Sequence, residues 1–313
     1  MTFTTTARDD RTADIAADGI DPDAPLAHAV VGLGRFGRVH ALKLLALRGF
    51  ALRAVVDCAA PACADAGLAA LPVLRGLDEL PPDIASATVA TSDPAHAEVA
   101  LALMRRGCHV LVEKPLCLDR HEGALMLRTA RQCGVTLGTG HIERFNPVFD
   151  DACLARLRAA AAHHRDDARP FMRFHRHSAR AATAWDSVLD LMVHDIDLFA
   201  WLCAIPVEAP LDVLSRHVGE HGVRARVRLG GLVAEFESGY GPLPSSARLQ
   251  VGQGDGAQWL DLRGGARPAS ADDALARQYQ AFRRAVLGQP GRLASGADGL
   301  AAVTRACQVL HAG

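Results

Sequence analysis

The run Gly32-Leu-Gly34-Arg-Phe-Gly37 leaves this chain few folds to choose from. It follows an apolar strand pattern at 27–31 and opens a helical pattern at 37–48. In that strand–turn–helix setting each glycine has a task. Gly32 permits the tight turn, Gly34 lets a pyrophosphate approach the backbone, and Gly37 allows helix and strand to pack closely. The helix N-terminus then faces the phosphates. Arg35 and Phe36 lie in the same turn and join the candidate cofactor contacts. Asp57 ends the next strand twenty residues after Gly37, where a carboxylate binds the adenosine ribose hydroxyls. Cys58, Ala59 and Ala60 follow, so no adjacent cation awaits a 2′-phosphate. The expected cofactor is NAD rather than NADP.

Strand and helix patterns alternate after this motif. Strands are predicted at 27–31, 51–57, 71–74, 87–90, 109–112 and 135–139, and helices at 37–48, 61–70, 94–106 and 120–133. Such alternation predicts an α/β fold with a doubly wound parallel (Rossmann) sheet over 27–145. After Phe145-Asn146-Pro147 the pattern changes. Helices are expected at 148–161, 188–202, 271–287 and 297–311, with strands at 171–178, 213–218, 223–229, 232–238, 247–251 and 257–262. Residues 146–313 therefore read as an α+β domain on a mainly antiparallel open sheet. Residues 1–26, with six aspartates, read as a flexible acidic tail.

Composition removes several function classes. With 34 basic and 35 acidic residues, the chain has no electrostatic footprint for nucleic acid. No apolar run reaches the length of a membrane span. Eight cysteines form no CxxC pair, which predicts reduced thiols in a cytoplasmic protein and no zinc site. His163, His164, His175 and His177 lack a cysteine or carboxylate at ligand spacing and read as solvated histidines, so no metal is expected.

The chemistry is concentrated in three places. Residues 188–202 are nearly all apolar, yet Asp190, His194, Asp197 and Trp201 recur at i, i+4, i+7 and i+11 on one stripe. A buried carboxylate needs a partner, and an Asp one turn before a His can orient the imidazole as a general base. The same spacing also describes a structural Asp–His pair. Thr91, Pro94 and His96 end the fourth strand, and Glu113-Lys114-Pro115 ends the fifth. Ligands bind outside the carboxyl ends of parallel strands, so both segments point at the nicotinamide end.

These motifs together resemble the glucose–fructose oxidoreductase, inositol dehydrogenase and MocA (Gfo/Idh/MocA) family from residue 27 onward. The resemblance implies a Rossmann domain followed by an open sheet used for substrate binding and oligomerisation, giving a homo-oligomer (dimer or tetramer). It implies a catalytic set on Lys114, Asp190 and His194. His194 would take a hydroxyl proton, Asp190 would orient it, and Lys114 would stabilise the alkoxide as hydride leaves for NAD. Gly140-His141-Ile-Glu143-Arg144-Phe145-Asn146-Pro147, with His194-Asp195-Ile196-Asp197, is similar to bacterial enzymes oxidising C3 of UDP-N-acetylglucosamine or its uronate relatives. That likeness implies a sugar or nucleotide-sugar substrate, and a downstream aminotransferase in lipid A or surface-glycan synthesis. A nucleotide sugar carries phosphate charge, for which Arg144, Arg173 and Arg180 are candidates; Asn146 and Asp197 complete the expected substrate contacts. The alternatives are an inositol or free-sugar dehydrogenase and a non-catalytic NAD sensor.

Overall fold

The computed structural model describes residues 21–59, 67–68, 70–180, 182–184, 186–252, 257–263 and 272–312. Most of the acidic tail and of the expected 61–70 helix lies outside the described residues. Among the described residues no helix is long and apolar enough to cross a membrane.

The first half builds a seven-stranded sheet. Its elements are β1 (Leu26–Val31), α1 (Arg35–Leu45), β2 (Phe50–Val56), β3 (Val73–Leu74) and β4 (Ser86–Val89). They continue with α2 (His96–Arg105), β5 (His109–Val112), α3 (Arg120–Gln132) and β6 (Leu137–Thr139). The central strands are buried without alternation because helices cover both faces; β4 and β5 are buried at every position. Strand order runs β6-β5-β4-β1-β2-β3, with all these pairs parallel. The order reverses beside β1, which has β2 on one side and β4 on the other. That reversal opens a crevice at the carboxyl ends of the strands.

The second half comprises α4 (Asp151–His163), β7 (Pro170–Ser178), a π-helical turn at Val188–Met192 and α5 (Val193–Leu202). Strands β8 (Leu211–Val218), β9 (Gly222–Leu229), β10 (Leu232–Tyr240), β11 (Ser246–Val251) and β12 (Gln258–Asp261) follow. They form a six-stranded sheet ordered β12-β11-β7-β10-β9-β8. Only the central β7–β10 pair is parallel, because a long crossover through α5 separates these strands.

The chain then turns back. α6 (Ala274–Val286) buries Leu275, Tyr279, Phe282 and Val286 against β1 and β2 of the first sheet. β13 (Ala294–Ser295) pairs antiparallel with β6 and becomes that sheet's edge. α7 (Gly296–His311) places Ala302, Ala306 and Val309 in the core of the second unit and Val303 in that of the first. A linear division at residue 145 does not include this return. Two residues carry too little periodicity to mark β13 as a strand.

Burial of neutral histidines in the first sheet has a consequence for acid stability. Burial pulls the His28 imidazole down to about 3 and His109 down to about 4. Both titrate near 6.5 when unfolded. Below that pH the unfolded chain binds more protons than the folded one, so stability is lost as pH falls toward the folded values. The expected loss is roughly 2–4 kcal/mol between pH 6.5 and 5. Thermal unfolding at the two pH values checks it; an unchanged midpoint would contradict neutral burial.

Candidate active site

The dinucleotide turn is built for close approach. Gly32 has φ 95°, and a Cβ there would stand 2.5 Å from the Ala90 carbonyl oxygen. A Cβ on Gly37 would overlap the Gly32 carbonyl oxygen at 1.7 Å. A Cβ on Gly34 would meet nothing within 4 Å, so this backbone faces open space at the N-terminus of α1. No side chain caps that helix end, leaving its first-turn N–H groups for an anion. Asp57 is fixed from both sides, accepting from the Leu33 N–H at 2.7 Å and the Ala59 N–H at 2.8 Å. These residues fit an adenine dinucleotide.

A cavity of about 830 Å³ runs along the strand ends. Gly32, Gly34, Arg35, Phe36, Asp57, Thr91, His96, Glu113 and Lys114 all line it, while Gly37 packs beneath the turn. Arg75, at the end of β3, also lines it and donates to the Cys58 carbonyl at 3.2 Å. Arg75 arrives from a different strand, so the residues next to Asp57 in sequence do not reveal this cation. His96 serves as a tie. Its ring nitrogens lie 2.8 and 3.3 Å from the Pro115 and Thr91 carbonyl oxygens, joining the exits of β5 and β4.

A second cavity, of about 1300 Å³, opens from the other side of Lys114. Arg35, Phe36, Glu113, Lys114, Arg180 and Asp190 line both spaces and mark their junction; His194 lines only the second. Lys114 Nζ donates to Asp190 Oδ1 at 2.6 Å and to the Asp190 carbonyl at 3.1 Å. The Tyr240 hydroxyl and the Arg180 guanidinium both donate to Asp190 Oδ2. Burial would raise the Asp190 carboxyl, but the Lys114 charge and the bonds from Lys114 and Tyr240 outweigh it and hold the group ionised.

The expected pairing of Asp190 with His194 is corrected. The Asp190 carboxylate accepts instead from Lys114, Tyr240 and Arg180. His194 Nδ1 is buried and has no hydrogen-bond partner among the described residues. The reason is the π turn, which inserts extra backbone where a plain α-helix was expected and changes which side chains meet. Burial first, then the charges of Lys114, Arg176 and His141, push the His194 imidazole well below its ordinary value. It is therefore a neutral proton acceptor.

Lower on the stripe the helix faces elsewhere. Asp197 and Arg144 form a buried bidentate pair at 2.6 and 2.9 Å, with Asp298 3.2 Å from the same guanidinium. Asn146 donates to the Leu262 carbonyl at 2.7 Å and to Glu143 at 3.1 Å. Arg173 pairs with Glu235 at 2.8 Å and Gln250 at 3.0 Å on the second sheet. None of these four lines either cavity at the junction. The structure thus places them away from the junction: Arg144, Asn146 and Asp197 are buried against internal partners, while Arg173 is half-exposed on the second sheet. Of the three arginine candidates only Arg180 reaches the crevice. Arg176 also lines it, held by Asp195 at 2.7 Å and Glu143 at 2.8 Å. Tyr240 was missed entirely. A compositional signal existed, since the chain has only two tyrosines and the other, Tyr279, is also tied into a polar network.

Residues 26–141 match the family model described as "Oxidoreductase family, NAD-binding Rossmann fold" (GFO_IDH_MocA). The chain is 30% identical over 171 residues to a UDP-N-acetylglucosamine 3-dehydrogenase of Acidithiobacillus ferrooxidans, covering 54% of this chain and 51% of that protein. It is 26% identical to myo-inositol 2-dehydrogenase of Thermotoga maritima over 71% of this chain and 69% of that one. The solved structure of the Acidithiobacillus ferrooxidans enzyme superposes with a TM-score of 0.71 at 24% identity, covering 91% and 97% of the two chains, which shows a common fold. In sequence the chain spans about half the length of the first of these curated relatives.

Proposed function

We propose, from the match of residues 26–141 to the Gfo/Idh/MocA oxidoreductase family model with its NAD-binding Rossmann fold, that the chain is an NAD-dependent sugar dehydrogenase of that family. The reading goes on to oxidation of a secondary hydroxyl to a ketone, at C3 of a UDP-N-acetylhexosamine. The observation that carries it is Lys114, held by Asp190 at 2.6 Å where the two cavities meet, with His194 beyond it.

NAD, when bound, supplies the hydride acceptor. The remaining chemistry belongs to the chain. The Lys114 ammonium faces the junction and lowers the pKa of an alcohol placed there, favouring its alkoxide. His194, kept neutral, receives the hydroxyl proton; since Nδ1 is the buried nitrogen, Nε2 is the accepting atom. Asp190 holds Lys114 in place and balances its charge, and Tyr240 fixes the second carboxylate oxygen. The Lys114–Pro115 peptide is cis in this exit loop.

The size of the second cavity supports a substrate larger than one ring. About 1300 Å³ exceeds the usual range for a small-molecule pocket. Arg35 stands at its entrance with its guanidinium 4.8 Å over the Phe36 ring and forms no ion pair with a carboxylate among the described residues. It is available to a phosphate. An inositol-type substrate is the second reading, supported by the longer alignment to the Thermotoga maritima enzyme.

Following NADH absorbance with UDP-N-acetylglucosamine, UDP-N-acetylgalactosamine, myo-inositol and free glucose separates the two. Reduction of NAD by a UDP-sugar is expected, and Arg35→Ala should raise the KM for that substrate about tenfold through loss of a charge-assisted phosphate contact. Activity confined to inositol would overturn the nucleotide-sugar reading.

A further inference from the structure

Outside the Lys114–Asp190–His194 cluster, a set of buried polar groups forms one continuous chain through the first sheet. Ser86 Oγ lies 2.8 Å from His28 Nδ1, and His28 Nε2 lies 2.9 Å from Thr88 Oγ1. Thr88 Oγ1 is 2.9 Å from the Tyr279 hydroxyl, which is 2.8 Å from His40 Nδ1. His40 Nε2 ends the chain 3.0 Å from Glu113 Oε1. Five hydrogen bonds thus link β1, β4, α6, α1 and β5. Ser86, His28, Thr88 and Tyr279 are fully buried, so no proton can leave at the far end. The chain is not a conduit to solvent. It opens at its other end, where Glu113 lies at the cavity junction beside Lys114 and His40 lines the second cavity.

Chemistry orders the protons. A carboxylate only accepts, so His40 donates from Nε2 to Glu113. With neutral imidazoles, His40 Nδ1 accepts from Tyr279 and the Tyr279 oxygen accepts from Thr88. Thr88 accepts from His28, and His28 Nδ1 accepts from Ser86. Every N–H and O–H dipole then points its positive end toward Glu113, and such bonds polarise one another. Burial would raise the Glu113 carboxyl, but the hydrogen bond from His40 and the Lys114 charge outweigh it and hold it below the ordinary carboxylate range. The pocket around this anion is built closely; a Cβ on Gly140 would stand 2.6 Å from Glu113 Oε1.

We propose that His40 and Tyr279 are positioning residues that hold Glu113 as a fixed anion at the nicotinamide end, biasing the crevice toward the oxidised cofactor. The oxidised nicotinamide ring is cationic and the reduced ring is neutral, so a fixed negative charge favours the first. A low-dielectric site strengthens that preference. The inference rests on the reading of this crevice as an NAD site with Lys114 at its nicotinamide end.

The test measures the dissociation constants of NAD+ and NADH separately, by calorimetry and by NADH fluorescence, on the full chain. Glu113→Gln and His40→Ala should each weaken NAD+ relative to NADH on the order of tenfold. His40→Gln, whose amide can still donate to Glu113, should restore most of the ratio. Tyr279→Phe removes the donor behind His40 and should give an intermediate change; it also carries the test if His40→Ala does not fold. A purely structural role would weaken both cofactor forms together. Equal loss for NAD+ and NADH, or an unchanged ratio in Glu113→Gln, overturns the proposal. Failure of the wild-type chain to bind either form would instead overturn the reading on which it rests.

Discussion

His194→Ala is expected to lower turnover by about 10²–10⁴-fold while leaving NAD+ affinity within about twofold. The separation of effects follows from the two cavities. His194 lines the larger one and is absent from the cofactor groove, whereas Lys114 borders both. Lys114→Ala should therefore damage turnover and cofactor binding together. The pH profile gives an independent readout. Burial and the Lys114 charge push His194 well below its ordinary 6.5, so its protonation does not limit kcat/KM until pH falls below that value. The acid limb should lie below pH 6.5 in the wild type. Such a base is weak, and the Lys114 ammonium offsets this by acidifying the alcohol. Single-turnover NADH formation in wild type and His194→Ala checks the first result. Wild-type rates in the variant would sink the assignment of the base, as would an acid limb above pH 6.5.

Asp197→Ala should act on stability, with an expected loss of about 3–5 kcal/mol. The substitution leaves the Arg144 guanidinium buried without its bidentate acceptor. Asp298, 3.2 Å away, supplies a partial replacement and places the effect toward the lower end. Arg144 is about as buried as Asp197, at 4% and 3% exposed, so its guanidinium loses its principal partner in a largely desolvated setting. The KM for the sugar should be unchanged, because Asp197 does not reach the junction. Denaturant unfolding measures the loss. A variant of wild-type stability with a raised sugar KM would return Asp197 to the substrate site.

These two residues show how far the sequence can be read. His194 and Asp197 lie three positions apart on one polar stripe, and residue type and spacing treat them alike. The structure separates them: one faces the cavity and the other faces Arg144. Tertiary partners decide the difference, and Arg144 lies 53 residues away. Lys114 and Asp190 follow the same rule, 76 residues apart. A pairing one turn along the helix looked sufficient for Asp190, and the π turn with the approach of Lys114 and Tyr240 displaced it.

Strands β1, β2, β4 and β5 could be read directly, since apolar runs alternating with helices admit little else. The dinucleotide turn was equally legible. Its function depends on backbone conformation and the absence of Cβ atoms, and both are written in the identity of Gly32, Gly34 and Gly37. Local chemistry of that kind is a property of the sequence itself. By contrast, the return of α6 and β13 to the first sheet came only with the fold. So did the pairing of Arg144 with Asp197 and of Arg173 with Glu235, and the hydrogen-bond chain ending at Glu113. Each requires side chains from distant segments to compete for the same donors and acceptors. Burial raises the cost of leaving any such group unpaired, and only the packed structure determines which pairing wins.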